Sequence, residues 1–298
     1  MGKAYGKYIG SLLIFGFNGI VASQIALSSY EIVFARTLLG SLFLILAFSI
    51  AGRKWNFLKN GTHMAYIAAS GAAMGASWIF LYEAYRQIGV GMASLAYYCG
   101  PVIVMALSPV LFKEKLTWAK GIGLFGVLVG MVCINTQGTA VGKSPWGLFC
   151  GLMSAVLYAV MVVFNKKAKN MPGLENAMVQ VIASFLTVAL FLLAKQGFTI
   201  RVAPGSLAPI LILGIVNTGL GCFFYFSSIG ELPVQSVAVC GYLEPLAAVV
   251  FSGLFLKEKM NGAQILGAML ILGGAAFGEL LSCKAAQKHG LALGRTSR

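Results

Sequence analysis

The chain has 298 residues, of which 59% are hydrophobic and only 10% charged, and its mean hydropathy is +0.86. A soluble domain carries about 25% charged residues, so this chain lacks the polar surface that keeps a globule in solution. The net charge of +14 could indicate nucleic-acid binding, but Lys and Arg lie in short segments between apolar runs. That pattern is typical of a polytopic membrane protein, so we expect a lipid bilayer around the chain and no nucleic-acid partner.

Ten apolar runs are long enough, at about 20 residues each, to cross the hydrocarbon core of a bilayer. In chain order they cover 8–27, 31–51, 63–85, 90–112, 117–136, 145–165, 175–194, 206–228, 233–256 and 262–281. Turn-forming residues such as Met171-Pro172-Gly173 separate several of them. The sequence therefore predicts an all-α integral membrane protein with ten transmembrane helices and a basic cytoplasmic tail at 282–298.

The segment around the fourth span recurs 144 residues later, with eleven identities in the 49 positions from 82 to 130. The identical positions in the first copy are Val90, Tyr98, Pro101, Ser108, Lys113, Glu114, Lys115, Ala119, Gly123, Leu128 and Gly130. Each half holds five spans, and an odd number turns the second copy upside down. We therefore predict two inverted five-helix repeats, 8–136 and 145–281, an arrangement typical of transporters whose site lies at the repeat interface.

The distribution of Lys and Arg predicts the orientation. With the N-terminus in the cytoplasm, the inner segments hold 15 of these residues and the outer segments hold 6. This asymmetry favours both termini inside. The two Lys-Glu-Lys loops, 113–115 and 257–259, then lie on opposite sides, and we expect Glu114 and Glu258 to hold their own loops together beside the flanking lysines.

In both halves a proline in the fourth span of the repeat is followed 13 residues later by a glutamate in a short charged loop. Pro101 pairs in this way with Glu114, and Pro245, which directly follows Glu244, pairs with Glu258. With the five-plus-five organisation, these residues resemble the EamA branch of the drug/metabolite transporter superfamily. The resemblance implies a carrier in the plasma (inner) membrane and a central cavity lined by spans 1–4 and 6–9. Spans 5 and 10 would then pack outside the cavity as a scaffold.

Glycines four apart in the fifth and tenth spans favour close helix packing in lipid. They are Gly126 with Gly130, and Gly274 with Gly278. Small residues at this spacing let two backbones approach closely. We assign these glycines to packing within the chain, although glycine-rich outer helices would also permit a homodimer.

Glu244 is the strongest candidate for a functional residue. It lies near the middle of the ninth span, where an acidic group costs about 2.5–3.5 kcal/mol. Pro245 removes a backbone donor and should free the carbonyl near Gly241, so we expect a helix kink at Pro245 and another at Pro101. Glu244 could bind an ammonium group or a proton, or it could be a structural carboxyl bonded to a neighbouring helix. Gly100 occupies the repeat-related position.

Arg36 lies five residues inside the second span. Its guanidinium could snorkel to the outer interface, face the cavity and bind a carboxylate, or pair with Glu244. Aromatic side chains are dense in the spans expected to form the cavity. Tyr98 and Tyr242 are repeat mates and should approach each other across the pseudo-twofold axis. The further residues predicted to line the cavity are Trp78, Tyr97, Tyr158, Asn18, Asn217 and Ser236.

The favoured function is a secondary transporter that exports a small metabolite, such as an amino acid or an amine, by alternating access. Deep aromatic residues and a carboxylate favour aromatic or cationic cargo, and protons would be a second partner if Glu244 is protonated as cargo leaves. The alternative is a carrier for another class, such as a purine, a nucleotide sugar or a drug. A channel and an intramembrane enzyme are less favoured, because rings of like polar residues and recognised catalytic motifs are absent from the sequence.

We expect no cofactor and no metal site. Five of the six cysteines lie within apolar runs without a C-x-x-C pair, and the chain contains only two histidines. Buried cysteines of this kind behave as small apolar packing residues.

Inversion of the repeats predicts that Lys115 and Lys259 lie on opposite sides of the membrane. In a cysteine-free background, a membrane-impermeant maleimide added to intact cells should label Lys259→Cys and leave Lys115→Cys unlabelled until the cells are lysed. Equal labelling of both positions in intact cells would contradict the inverted arrangement.

Overall fold

The computed structural model describes residues 2–52, 61–114, 117–135, 144–168, 171, 173–195, 204–255, 262–263, 265–274 and 276–278. In chain order its helices are α1 Gly2–Gly16, α2 Asn18–Ala22, α3 Ser29–Ile50, α4 Gly61–Tyr97, α5 Cys99–Phe112, α6 Trp118–Asn135, α7 Pro145–Lys167, α8 Leu174–Lys195, α9 Leu207–Leu211, a π-helical segment Ile212–Leu220, α10 Gly221–Ser228, α11 Val234–Cys240, α12 Leu243–Phe255 and α13 Ile265–Gly278. No β-strand occurs in these ranges, so the all-α prediction is confirmed for them. The predicted tail and the loop 257–259 lie outside the described residues.

Five helices among the described residues are long and apolar enough to cross a membrane. They are Ser29–Ile50, Gly61–Ile88, Pro145–Lys167, Leu174–Lys195 and Leu207–Ser228. Large apolar side chains such as Ile50, Phe125 and Leu190 are more than two thirds exposed on the outside of the bundle, as expected where helices face lipid. The chain is therefore a multi-pass membrane protein, while the count of ten spans stays a prediction.

Helix ends follow local signals in the sequence. Ser28 caps α3: its hydroxyl accepts a hydrogen bond from the backbone N–H of Glu31, and the Glu31 carboxylate accepts one from the backbone N–H of Ser28 at 2.8 Å. This reciprocal pair satisfies two N–H groups that the helix itself leaves unbonded. Gly52 follows the end of α3 with φ of +58°, a conformation that glycine adopts without a steric penalty.

Three of the predicted spans are interrupted near their middles. The first breaks at Phe17, the fourth at Tyr98, and the ninth between Cys240 and Leu243. Kinks were expected at Pro101 and Pro245 in the fourth and ninth spans, whereas the break in the first span, 8–27, was not predicted. The last two breaks lie just before Pro101 and Pro245. A proline lacks the N–H that would bond to the preceding turn, and its ring clashes with the carbonyl four residues earlier.

The third and fourth predicted spans are joined within α4, where a loop had been expected at 86–89. The helix nevertheless bends back on itself. A Cβ atom built on Gly151 of α7 would lie 2.7 Å from the Cβ of Ala96 and 3.9 Å from the Cβ of Ala84. In a straight helix two residues twelve apart are separated by about 18 Å. The chain therefore reverses its direction between Ala84 and Ala96.

Polar contacts join the helices at one end of the bundle. The Tyr30 hydroxyl, in the first turn of α3, donates a hydrogen bond to the Glu83 carboxylate of α4. Lys195, the last residue of α8, donates to the Tyr30 hydroxyl at 3.1 Å, and Arg86 forms an ion pair with Glu83 at 2.9 Å. Glu83 and Arg86 are three residues apart in α4, a spacing that places two side chains side by side on one helix. The sequence had assigned all these segments to one side of the membrane, and the contacts agree with that grouping.

A second set of contacts lies in the segments that the sequence assigned to the opposite side. The Glu114 carboxylate accepts hydrogen bonds from the backbone N–H groups of Val234 at 2.8 Å and Gln235 at 3.2 Å, at the start of α11. Lys166 donates to the carbonyl of Leu232. Glu114 was expected to hold its own loop together, and in the structure it also joins that loop to α11, because the free N–H groups of a helix N-terminus attract a carboxylate.

Helices α6 and α13 approach each other closely through glycine. A Cβ atom on Gly123 would lie 2.5 Å from the carbonyl oxygen of Gly274, and one on Gly130 would lie 2.6 Å from the carbonyl oxygen of Gly267. At Gly126 the nearest atom of the opposite helix, the Cα of Gly274, would be 3.8 Å away. The fifth and tenth predicted spans therefore pack against each other, and their closest contacts lie at Gly123 and Gly130.

The substitution Gly123→Leu should destabilise the protein by about 1–3 kcal/mol, because the new side chain would overlap backbone atoms of α13. Gly121→Leu, two residues earlier in the same helix, is the matched control, since nothing lies within 4 Å of a Cβ atom there. Thermal unfolding in detergent should show a lower midpoint for the first variant alone. Equal shifts for both variants would contradict close packing at Gly123.

Candidate functional site

A central cavity lies beside all three helix breaks. Its walls come from both halves of the chain. They are formed by Leu12, Phe15, Asn18, Arg36, Met74, Trp78, Tyr97, Tyr98, Pro101, Tyr158, Met161, Cys222, Tyr225, Phe226, Gly241 and Glu244. No described residue of α6 or α13 belongs to this wall, in agreement with their expected scaffold role. Arg36 and Glu244 are the charged residues among these wall residues.

Arg36 points into the protein and is 3% exposed. Its Nε donates a hydrogen bond to the Thr218 hydroxyl at 3.0 Å, and its guanidinium carbon lies 4.3 Å from the centre of the Trp78 ring. The Nη2 atom is buried without a hydrogen-bond partner. Snorkelling to the interface is therefore excluded, and the guanidinium faces the cavity.

Glu244 lies in the first turn of α12, directly after the break in the ninth span. Among the described residues no hydrogen bond or ion pair reaches its carboxylate, and Arg36 is not within ion-pairing distance of it. The Gly241 carbonyl, expected to be free, accepts a hydrogen bond from the backbone N–H of Glu244 at 3.2 Å, because a tighter turn replaces the bond that Pro245 cannot make. The N-terminus of α12 favours a negative charge at this position.

Glu244 has no acidic counterpart in the first half, and packing explains why. A Cβ atom on Gly100, the repeat-related residue, would lie 2.7 Å from the Tyr158 ring. A glutamate would require Tyr158 to leave the cavity wall. The repeat therefore supplies one carboxylate and one aromatic surface instead of two carboxylates.

Tyrosines form a continuous aromatic wall around the carboxylate. The Tyr97 ring lies 5.4 Å from that of Tyr98 and 5.5 Å from that of Tyr158, each in an edge-to-face arrangement. The hydroxyl groups of Tyr158 and Tyr225 are 3.2 Å apart, within hydrogen-bonding distance. The faces of these rings are apolar and their edges carry hydroxyl groups, so they suit a flat or aliphatic group of a ligand.

Tyr98 and Tyr242 meet as their repeat relationship predicted, with ring centres 6.1 Å apart. The Tyr242 hydroxyl donates a hydrogen bond to the backbone carbonyl of Tyr98 at 2.6 Å. Tyr242 is fully buried and does not line the cavity, so its assignment to the wall is corrected. It thereby bonds to the backbone at the break in the fourth span, where Tyr98 is the N-cap residue of α5.

Asn217 and Ser236 also lie behind the cavity wall. Asn217, in the π-helical segment, donates hydrogen bonds to the Ile14 carbonyl and to the Asn18 side chain, both at 3.0 Å. It thereby supports the broken first helix and fixes Asn18, which does line the cavity. Ser236 is buried in α11, whose side chains pack into the core. Neither residue belongs to the cavity wall, so the predicted lining role is corrected for both.

Several wall residues were missed by the sequence analysis. Phe15, Met74, Cys222 and Tyr225 line the cavity, and Thr218 holds Arg36 from behind. The Thr218 hydroxyl also donates to the carbonyl of Leu213, five residues earlier, at 2.8 Å. π-helical segments often occur at functional sites, but their position has no clear sequence signal.

The geometry can now be compared with known proteins. The model of the EamA-like transporter family matches residues 3–136 and 145–278. This chain belongs to that family. The EamA resemblance found in the sequence is thus confirmed, and this EamA-family chain is a membrane transporter.

Two relatives and one solved structure are similar to this EamA-family protein at less than 30% identity. The "Uncharacterized transporter YxxF" of Bacillus subtilis is 23% identical over 273 residues, 91% of this chain and 87% of that protein. A Salmonella typhimurium protein named "Probable amino-acid metabolite efflux pump" is 26% identical over 197 residues, 62% of this chain and 65% of that protein. One solved structure is described only as "Crystal structure of protein", and its TM-score to this chain is 0.80 at 20% sequence identity. The match covers 93% of this chain and 98% of that chain, and it supports the fold alone.

Tyr242→Phe should lower the free energy of unfolding by about 0.5–1.5 kcal/mol, because the Tyr98 carbonyl loses its hydrogen bond. Tyr98→Phe is the matched control from the repeat-related position, since no described residue bonds to the Tyr98 hydroxyl. Unfolding in detergent with increasing denaturant would compare the two. A larger effect for Tyr98→Phe than for Tyr242→Phe would contradict the assigned hydrogen bond.

Proposed function

We propose that this protein is a secondary transporter that exports a small metabolite, an amino acid or an amine, across the cytoplasmic membrane by alternating access. Its ten spans would form two inverted repeats, 8–136 and 145–281, with both termini in the cytoplasm. The broken first, fourth and ninth spans each count as one crossing in this arrangement. Broken helices that surround a central site are a recurrent feature of secondary transporters.

The observation that carries the proposal is the central cavity with two charged side chains that form no ion pair within the part of the chain that the structure describes. Arg36 and Glu244 face the same space and are not paired with each other. Charged groups within the membrane are costly and occur mainly on substrate or ion pathways. A cavity that holds such groups at the level of the helix breaks is suited to bind a polar solute during its passage.

Both ends of the bundle carry contacts that alternating access would have to break in turn. One set joins Tyr30, Glu83 and Lys195, and the other joins Glu114 to the start of α11. Polar contacts of this kind can be exchanged for water when an end opens, at little net cost. The helix breaks beside the cavity would act as the hinges, since their backbone lacks a continuous hydrogen-bond ladder.

The cavity favours an amino acid or an amine over a phosphorylated compound. A nucleotide sugar brings two negative charges, whereas Arg36 is the single cation among the wall residues that the structure describes. The aromatic wall favours a ligand with an apolar or aromatic side chain. The name of the Salmonella relative, an amino-acid metabolite efflux pump, supports this class and the direction of export.

The proposed binding residues are those of the cavity wall, with Glu244 as the site of an ammonium group or a proton. Trp78, Tyr97, Tyr98 and Tyr158 would enclose the ligand, and Asn18 and Arg36 would add polar contacts. If Glu244 exchanges its cargo for a proton, export would be coupled to proton entry, since one carboxylate cannot hold both.

Glu244→Gln should reduce substrate counterflow in proteoliposomes at least about tenfold, because the neutral amide cannot balance a cationic group. Glu231→Gln is the control, since Glu231 is exposed in the turn after α10 and does not line the cavity. Wild type and both variants would be tested with amino acids and amines at several pH values. Unchanged counterflow in Glu244→Gln would remove Glu244 from the site, and an unchanged pH dependence in the variant would remove its proton role.

A further inference from the structure

We propose that the cavity binds a zwitterion, with Arg36 holding the carboxylate and Glu244 the ammonium group of an α-amino acid that has a neutral side chain. This inference rests on the proposed transport function and names the substrate class within it. It distinguishes an α-amino acid from an amine and from a carboxylic acid, each of which carries only one of the two charges.

Arg36 is assigned to the carboxylate of the ligand because several of its N–H donors are unused. A guanidinium has five N–H donors in a planar fork, and among the described residues only Nε makes a hydrogen bond, to Thr218. Nη2 is buried without a partner although the residue is 3% exposed. Buried charged donors without partners are strongly disfavoured in folded proteins, so an unpaired group that faces a cavity indicates a ligand.

The orientation of the guanidinium is fixed before a ligand arrives. Thr218 holds one edge, and the Trp78 ring, 4.3 Å from the guanidinium carbon, covers one face. The Thr218 hydroxyl is itself held by the Leu213 carbonyl within the π-helical segment. Arginine so positioned offers two parallel N–H groups to a carboxylate, a geometry that lysine cannot reproduce.

Glu244 is assigned to the ammonium group of the ligand. Its carboxylate lines the same cavity, with no hydrogen bond from the residues that the structure describes. A carboxylate accepts hydrogen bonds and does not donate them when ionised, so it matches the three donors of an ammonium group. Neighbouring Tyr97 and Tyr98 present aromatic faces, which also attract cations.

The two charges line one cavity without forming an ion pair with each other. A ligand with both charges close together neutralises both side chains at once. An amine would leave Arg36 without a counterion, and a carboxylic acid would leave Glu244 without one. Sites built to bond a polar group reject analogues that lack it, because the protein group is then left buried and unpaired.

The rest of the wall selects the side chain of the ligand. Phe15, Met74, Tyr158, Tyr225 and Phe226 are apolar or aromatic, and no further charged residue belongs to the wall as described. A second charge on the ligand would therefore have no partner. Neutral amino acids with an apolar or aromatic side chain fit best, and L-phenylalanine is a suitable probe.

The test uses three compounds with the same ring: L-phenylalanine, phenethylamine and 3-phenylpropionate. Wild-type protein in proteoliposomes should exchange radiolabelled L-phenylalanine, and unlabelled L-phenylalanine should compete at least about tenfold better than either analogue. Arg36→Gln should lose L-phenylalanine exchange while its relative preference shifts towards phenethylamine. Glu244→Gln should shift in the opposite direction, towards 3-phenylpropionate. A merely structural role for either residue would not move the two preferences in opposite directions.

Two controls keep the outcomes distinct. Lys7→Gln removes an exposed cation outside the cavity and should leave the preference unchanged, while Arg36→Lys keeps the charge and should retain only part of the exchange.

If wild type exchanges phenethylamine as well as L-phenylalanine, the zwitterion inference is overturned and the transport proposal stands. If wild type exchanges no amino acid or amine of a wider panel, the proposed function itself fails. Should Arg36→Gln not fold, the wild-type comparison of the three compounds still decides the inference.

Discussion

The constraint on which this structure depends is that backbone groups at membrane depth must find partners within the protein. A break in a helix frees carbonyl groups, and lipid cannot bond to them. Here side chains from distant segments add hydrogen bonds to the backbone beside two of the breaks: the Tyr242 hydroxyl donates to the Tyr98 carbonyl, and the Tyr8 hydroxyl donates to the Val237 carbonyl at 2.7 Å, which also accepts from the Gly241 N–H. Because these bonds cross between segments distant in sequence, the breaks are held in place and the cavity beside them keeps its shape.

The internal repeat creates this arrangement, and its imperfections give the cavity its chemistry. Tyr98 and Tyr242 occupy equivalent positions, yet only Tyr98 faces the cavity, while Tyr242 supports its backbone. Glu244 and Gly100 are likewise equivalent, and the space of a side chain at Gly100 is filled by Tyr158. Two copies of one fold thus form a single asymmetric site with one acidic residue, set opposite an arginine from another helix.

Sequence reasoning located much of this site, because membrane burial makes charged and proline residues conspicuous. Glu244 and Arg36 are informative since few ionisable groups lie within the apolar runs. Sequence reasoning wrongly placed Asn217 and Ser236 in the cavity wall, and it missed Tyr225, which lines the cavity, and Thr218, which holds Arg36. Which face of a helix meets the cavity depends on where the helix breaks and on a π-helical segment, and a shift of one residue in the backbone rotates the side chains by about 100°.

The sequence by itself determined the membrane class, the apolar helices, the family and the internal repeat, because these follow from composition, run length and spacing along the chain. Only the tertiary structure decided that Arg36 turns inwards with an unused guanidinium edge and that Glu114 caps a helix of the other half. It also decided that α6 and α13 meet most closely at Gly123 and Gly130. These outcomes depend on distances between residues more than a hundred positions apart, and linear spacing does not contain such distances.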